Sequence, residues 1–219
     1  MSFTRLSGLA ALGFAVIVAA INIVLGASGW PPADAAPGEV AAYVAAHSGL
    51  IGTDVALTLA NTVLIAVFAA GAFAVIWPVE RARGEAWSVV GLLGVAVMAA
   101  QFGVVVALRA ALTEGHDPAG GVWDLHNALF TAAGVGLGIV MLGFSVGGVR
   151  TATIRRWHGG LGVVSGVLLI VAAVLSPVWS GLGTAGLAGF VGWLIWLPTF
   201  GLVLVRRDTA IEPVAVASE

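Results

Sequence analysis

WSVVGLLGVAVMAAQFGVVVALRAAL, residues 87–112, decides the fold of this chain. A membrane-crossing helix needs about 20 mostly apolar residues, and this run offers them with only Ser88, Gln101 and Arg109 as polar interruptions. It lacks the strict alternation of a barrel strand. Working outward, five further runs have the same character: 6–28, 50–77, 123–149, 157–178 and 184–205. Across all 219 residues, 60% are hydrophobic and 9% charged, and the mean hydropathy is +1.07. Soluble domains carry roughly a quarter charged residues, so this chain could not cover a water-facing surface. The expectation is an all-α polytopic bundle, one six-helix transmembrane domain over 1–219.

Orientation follows from the arginines. Arg5, Arg81, Arg83, Arg150, Arg155, Arg156, Arg206 and Arg207 all fall at one side of a six-span arrangement, which the positive-inside rule makes cytoplasmic. Both termini are then inside, and the protein is expected in the cytoplasmic (inner) membrane of a bacterium. Trp77, Trp87 and Trp157 mark the inner interface, Trp30, Trp123 and Trp179 the outer one. A cleaved leader competes for the first span, because Arg5 precedes an apolar run followed by Ala33-Asp34-Ala35-Ala36. That run exceeds the usual 7–15-residue leader core, so it is read as a span. Gly38 to His47 reads as a short amphipathic helix on the outer surface. The stretch after Thr113 reads as a polar turn, and the tail from Asp208 as disordered.

Several chemistries are excluded by what is missing. With 0 Cys, thiolate metal sites and cysteine nucleophiles are absent. All nine basic residues are Arg, so no lysine Schiff base can form. Of His47, His116, His126 and His158, only His126 is read inside a span, too few for stacked haems. His47, His116, Asp124 and His126 lack a metal-site spacing such as HExxH. Neither metal nor cofactor is expected. A net charge of -2 without a basic run argues against nucleic acid.

Glycine is abundant, with 31 residues. Gly134/Gly138, Gly143/Gly147 and Gly162/Gly166 form GxxxG pairs, and Gly183, Gly186, Gly189 and Gly192 recur every third residue. Small residues let helices approach closely in lipid, within one bundle or across a homo-oligomer face.

Three stretches carry a resemblance. Trp123-Asp124-Leu125-His126-Asn127-Ala128-Leu129-Phe130 opens span four, Arg155-Arg156-Trp157-His158-Gly159-Gly160-Leu161-Gly162 opens span five, and Gly189-Phe190-Val191-Gly192-Trp193-Leu194-Ile195-Trp196 fills span six. With the Gly-Glu-Val-Ala-Ala-Tyr surface helix, the chain resembles a broad group of small six-span bacterial membrane proteins of a domain-of-unknown-function type, common in high-GC genomes. The resemblance implies the fold and the membrane location, and brings neither an activity nor catalytic residues.

Polar groups inside a bilayer cost several kcal/mol unless paired, so each is a functional hypothesis. Asn22, Asp54, Asn61, Gln101, Arg109, Asp124, His126 and Asn127 nearly all fall in the outer half. Asp54, Thr58 and Asn61 share one helical face at i, i+4 and i+7. Arg109 either snorkels outward or pairs with Asp54 or Asp124, and Asp124 is placed to cap span four. Trp193 and Trp196 lie at mid-span, where a buried indole N–H wants a partner, and Pro198 is positioned to kink the helix beside them. The expected pocket is lined by Asn22, Asp54, Asn61, Gln101, Arg109, His126, Asn127, Trp193 and Trp196, binding or transporting a small amphipathic or lipid-like molecule. Two alternatives stand beside it. One is an accessory subunit of a membrane complex. The other is an intramembrane acid-catalysed isomerase or cyclase acting on an isoprenoid or lipid, with Asp54, Asp124 and His126 as its catalytic residues.

Overall fold

The computed structural model describes residues 1–114 and 120–208. Among them are six long helices and no strand: α1 Phe3–Ala27, α2 Pro37–Ala82, α3 Trp87–Thr113, α4 Gly120–Arg150, α5 Arg156–Leu175 and α6 Gly183–Asp208, with one 3-10 turn at Ser180–Leu182. All six are long and apolar enough to cross a membrane. Residues 115–119 of the expected polar turn, His116 among them, and the tail beyond Asp208 fall outside the described residues. Consecutive helices pack side by side and α6 closes back on α1, so the six form a ring in which α2 also touches α4 and α6.

The bundle is inverted relative to a soluble fold. Val16 (68% exposed), Ile23 (70%), Val63 (63%) and Leu93 (61%) face outward, a distribution suited to lipid and hazardous in water. Lipid is as apolar as leucine, so burial alone does little to hold such helices together. Close backbone approach does more. A Cβ on Gly143 would stand 2.2 Å from Gly91 N, and one on Gly94 2.6 Å from Val140 N, so α3 and α4 meet backbone to backbone. Gly138 faces Gly166 O across α4–α5 at 2.6 Å, and Gly8 faces Gly201 O across α1–α6 at 2.5 Å, measured the same way. These small residues are used between helices of the same chain.

Three helices end in one motif. Trp30 N donates to Leu25 O (3.1 Å), Glu85 N to Glu80 O (3.0 Å) and Thr153 N to Gly148 O (2.7 Å). Each is the six-to-one bond of a Schellman cap, which needs a left-handed residue just before the donor. Gly29 (φ 77) and Gly84 (φ 68) fill that place on α1 and α2, but Ala152 (φ 55) fills it on α4. The first of these turns carries Trp30 back over the bundle end.

The surface helix and second span expected separately are joined. α2 runs through His47, whose φ of -125 and ψ of 22 break the helical path. His47 Nδ1 donates to Tyr43 O at 3.0 Å, and its ring stacks on Tyr43 at 4.3 Å. The segment before the kink buries Val40, Tyr43 and Val44 against Ile51 and Trp123. It therefore caps the end of the bundle opposite the arginine-rich end. α6, by contrast, continues as helix through Pro198.

Candidate functional site

One polar chain crosses three helices beneath that cap. Arg109 on α3 donates from Nη1 to Asp54 Oδ2 on α2 at 2.5 Å, with both side chains nearly excluded from the surface at 10% and 2%. Thr58 Oγ1, one turn along α2, donates to Asp54 Oδ1 at 3.4 Å. The guanidinium Nε donates to His126 Nε2 on α4 at 3.0 Å. Arginine has no acceptor, so His126 accepts at Nε2 and carries its proton on Nδ1. That proton goes to Asn127 Oδ1 at 3.2 Å, and Asn127 Nδ2 donates to Ala33 O in the α1–α2 turn at 3.2 Å. Every link has one donor and one acceptor.

Aromatic rings enclose the chain. Arg109 Cζ lies 5.2 Å from the centre of the Trp30 ring, a cation–π distance. Trp123 stacks on His126 at 5.1 Å and donates from Nε1 to Pro32 O at 3.3 Å. Two of the three tryptophans expected at the outer interface, Trp30 and Trp123, thus lie at the end of the bundle, in contact with the polar chain.

Beside the Asp54–Arg109 pair is a cavity of about 120 Å³ between α1, α2, α3, α4 and α6. Asn22, Asp54, Asn61, Arg109 and Trp193 line it, with Phe14, Phe102 and Phe130 among its apolar walls. Asn22 is exposed and Phe130 is 45% exposed, so these two stand at its edge. Asn61 Oδ1 and Trp193 Nε1 are buried and have no hydrogen-bond partner among the described residues.

Other expected pocket residues lie elsewhere. Gln101 donates from Nε2 to Ala132 O at 3.2 Å, tying α3 to α4. His126 and Asn127 belong to the polar chain and do not line the cavity. Trp196, 0% exposed, packs among Phe68 and Phe200, in the core rather than the cavity wall. Asp124 is exposed and does not cap span four, because α4 begins at Gly120. An acid–relay pair of Asp124 and His126 is therefore not assembled on the cavity.

The expected confinement of buried polar groups to one half also fails. Glu80, Ser88, Ser145 and His158 are all at most 1% exposed near the arginine-rich end. Glu80 Oε2 accepts from Ser88 N at 2.9 Å and from Ser88 Oγ at 2.5 Å. It stands in for the side-chain cap that Ala86 does not give α3, placing a carboxyl oxygen on the free amide of a helix N-terminus. His158 Nε2 donates to Trp196 O at 2.9 Å, so a second histidine is buried within the helices. Glu80 lies beside Arg81 and Arg83 in the sequence, like any charge flanking a span, and serines give little sequence signal.

Comparisons of the chain with protein-family models, with curated proteins and with solved structures gave no match. The chemistry of the site is therefore that of its own atoms: a satisfied ionic chain at one end, and a small apolar cavity with two unsatisfied polar atoms beside it.

Proposed function

We propose that the chain is a multi-pass protein of a bacterial inner membrane, both termini cytoplasmic, that binds or transports a small amphipathic molecule in the cavity beside Asp54–Arg109. In this reading the α2 segment before His47 lies on the outer surface and covers the aromatic end. The observation that carries the proposal is that two residues lining the cavity, Asn61 and Trp193, each have a buried side-chain atom, Oδ1 and Nε1, without a hydrogen-bond partner among the described residues. An unsatisfied buried polar group costs about 1–3 kcal/mol. A ligand that donates to Asn61 Oδ1 or accepts from Trp193 Nε1 would recover that cost. The apolar walls favour a hydrocarbon body. The volume, about 120 Å³, is close to the ~150 Å³ cavity that takes benzene, so it suits one ring or one chain end.

The test is native mass spectrometry of protein purified in mild detergent, with extraction and identification of what co-purifies. A stoichiometric small molecule is expected, retained roughly 5- to 10-fold less well by Trp193→Phe and by Asn61→Leu. A clean unliganded mass would sink the proposal. The self-satisfied chain from Asp54 to Ala33 O favours one second reading, an accessory subunit whose polar groups serve only to lock helices. A further polypeptide in the spectrum would support it.

A further inference from the structure

At the arginine-rich end a cleft of about 890 Å³ opens between the α4–α5 turn, the start of α5 and the end of α6. Arg155 and Arg156 line one side, Arg206 and Arg207 the other. Arg155 and Arg156 are exposed and have no ion-pair partner among the described residues. Arg207 Nη2 donates to Ala152 O at 3.3 Å, which holds it over the turn. Arg155 supplies no side-chain cap to α5, so by helix geometry the first amides of α5 are left without acceptors in the helix. Two carboxylates near this end have other partners, Glu80 Oε2 with Ser88 and Glu85 with Arg150.

The cleft is not simply a charged surface. Trp157 is 57% exposed and Leu202 43% exposed, and both line it. Basic groups that crown an apolar wall at a helix end match a ligand with an anionic head and hydrocarbon chains. Basic pockets between transmembrane helices hold lipid head groups in this way, and free phosphate has no use for the apolar wall. We propose that this cleft binds an anionic phospholipid, with the phosphate held by Arg155, Arg156 and Arg207 and the acyl chains running along Trp157 and Leu202.

The test titrates detergent-purified protein separately with phosphatidylglycerol, phosphatidylcholine and inorganic phosphate, counting bound lipid by native mass spectrometry. Phosphatidylglycerol is expected to be retained at least about 10-fold better than phosphatidylcholine. At roughly 1 kcal/mol for each arginine near a lipid surface, Arg155→Gln/Arg156→Gln should weaken it about 10- to 30-fold. Arg5→Gln/Arg81→Gln removes the same charge from the same end but outside the cleft, and should change binding by no more than about twofold once salt screens the distant charges. Equal retention of both lipids, or equal loss in both double variants, would overturn the proposal. Displacement of phosphatidylglycerol by an equal concentration of inorganic phosphate would reassign the cleft to free anions. The lipid comparison uses the unsubstituted protein, so a double variant that fails to fold leaves it decisive.

Discussion

Asp54 and Arg109 are separated by 55 residues and meet as a buried pair. Removing one partner of a buried ion pair leaves the other uncompensated, at about 3–5 kcal/mol, whereas replacing both with apolar groups is often near neutral. Asp54→Asn or Arg109→Met alone should therefore lower the unfolding temperature markedly in detergent. Asp54→Leu/Arg109→Met together should recover most of the loss. A strictly additive double variant would show that the pair is not coupled. The sequence singled out both residues by their rarity inside apolar runs, and arginine's need for a counter-ion suggested an acid. It could not say which acid, because choosing Asp54 over Asp124 depends on where the two helices present those turns. The same holds for His126. Its depth was legible, but its acceptor role at Nε2 follows only from the arginine beside it.

At the scale of elements, the three Schellman ends differ in one respect. Ala152 sits at φ 55, where an L-residue with a Cβ is disfavoured by about 1–2 kcal/mol. Ala152→Gly should raise stability by about 1 kcal/mol, read as a higher unfolding temperature; a drop would mean that the turn relies on the alanine. Helix contacts give an opposite pair of expectations. Gly143→Ala would force apart α3 and α4 and should cost several kcal/mol, as overpacking does at its worst. Gly103, with nothing within 4 Å of an added Cβ, should accept alanine with a gain of up to about 1 kcal/mol. The α2–α3 turn is tied to the end of α4 by Arg150, which donates to both oxygens of Glu85 at 2.7 and 2.6 Å. The hydrogen bond from Arg150 holds the Glu85 carboxyl below its ordinary value of 4.5. A depressed carboxyl contributes stability that is present above the unfolded pKa and lost as pH falls through the folded one. Glu85→Gln should therefore lower stability slightly at neutral pH and converge with the parent in acid. High salt should shrink the difference, since the pair is surface-exposed.

For the whole molecule, the absence of cysteine makes topology directly measurable with single introduced thiols. Cysteine at Asp34 should react with an impermeant reagent added outside intact cells, and cysteine at Ala82 only after lysis. The reverse pattern would invert the proposed orientation while leaving the helices as they are. Six apolar runs, their approximate limits and the gathering of eight arginines at one end were all properties of the sequence itself. The bilayer imposes a length and a polarity that local composition must satisfy, and no distant residue can change that requirement. Which polar groups meet was another matter. Trp30 over Arg109, Glu80 as the cap of α3, His158 on the Trp196 carbonyl and the separation of Trp193 in the cavity from Trp196 in the core all depend on helix rotation and neighbour order. Those are set by backbone contacts such as Gly143 against Gly91 and Gly8 against Gly201, in which residues far apart in sequence fit each other's surfaces. Periodicity along one helix carries no record of the helix it faces, so the polar chain and the cavity emerged only in the folded bundle.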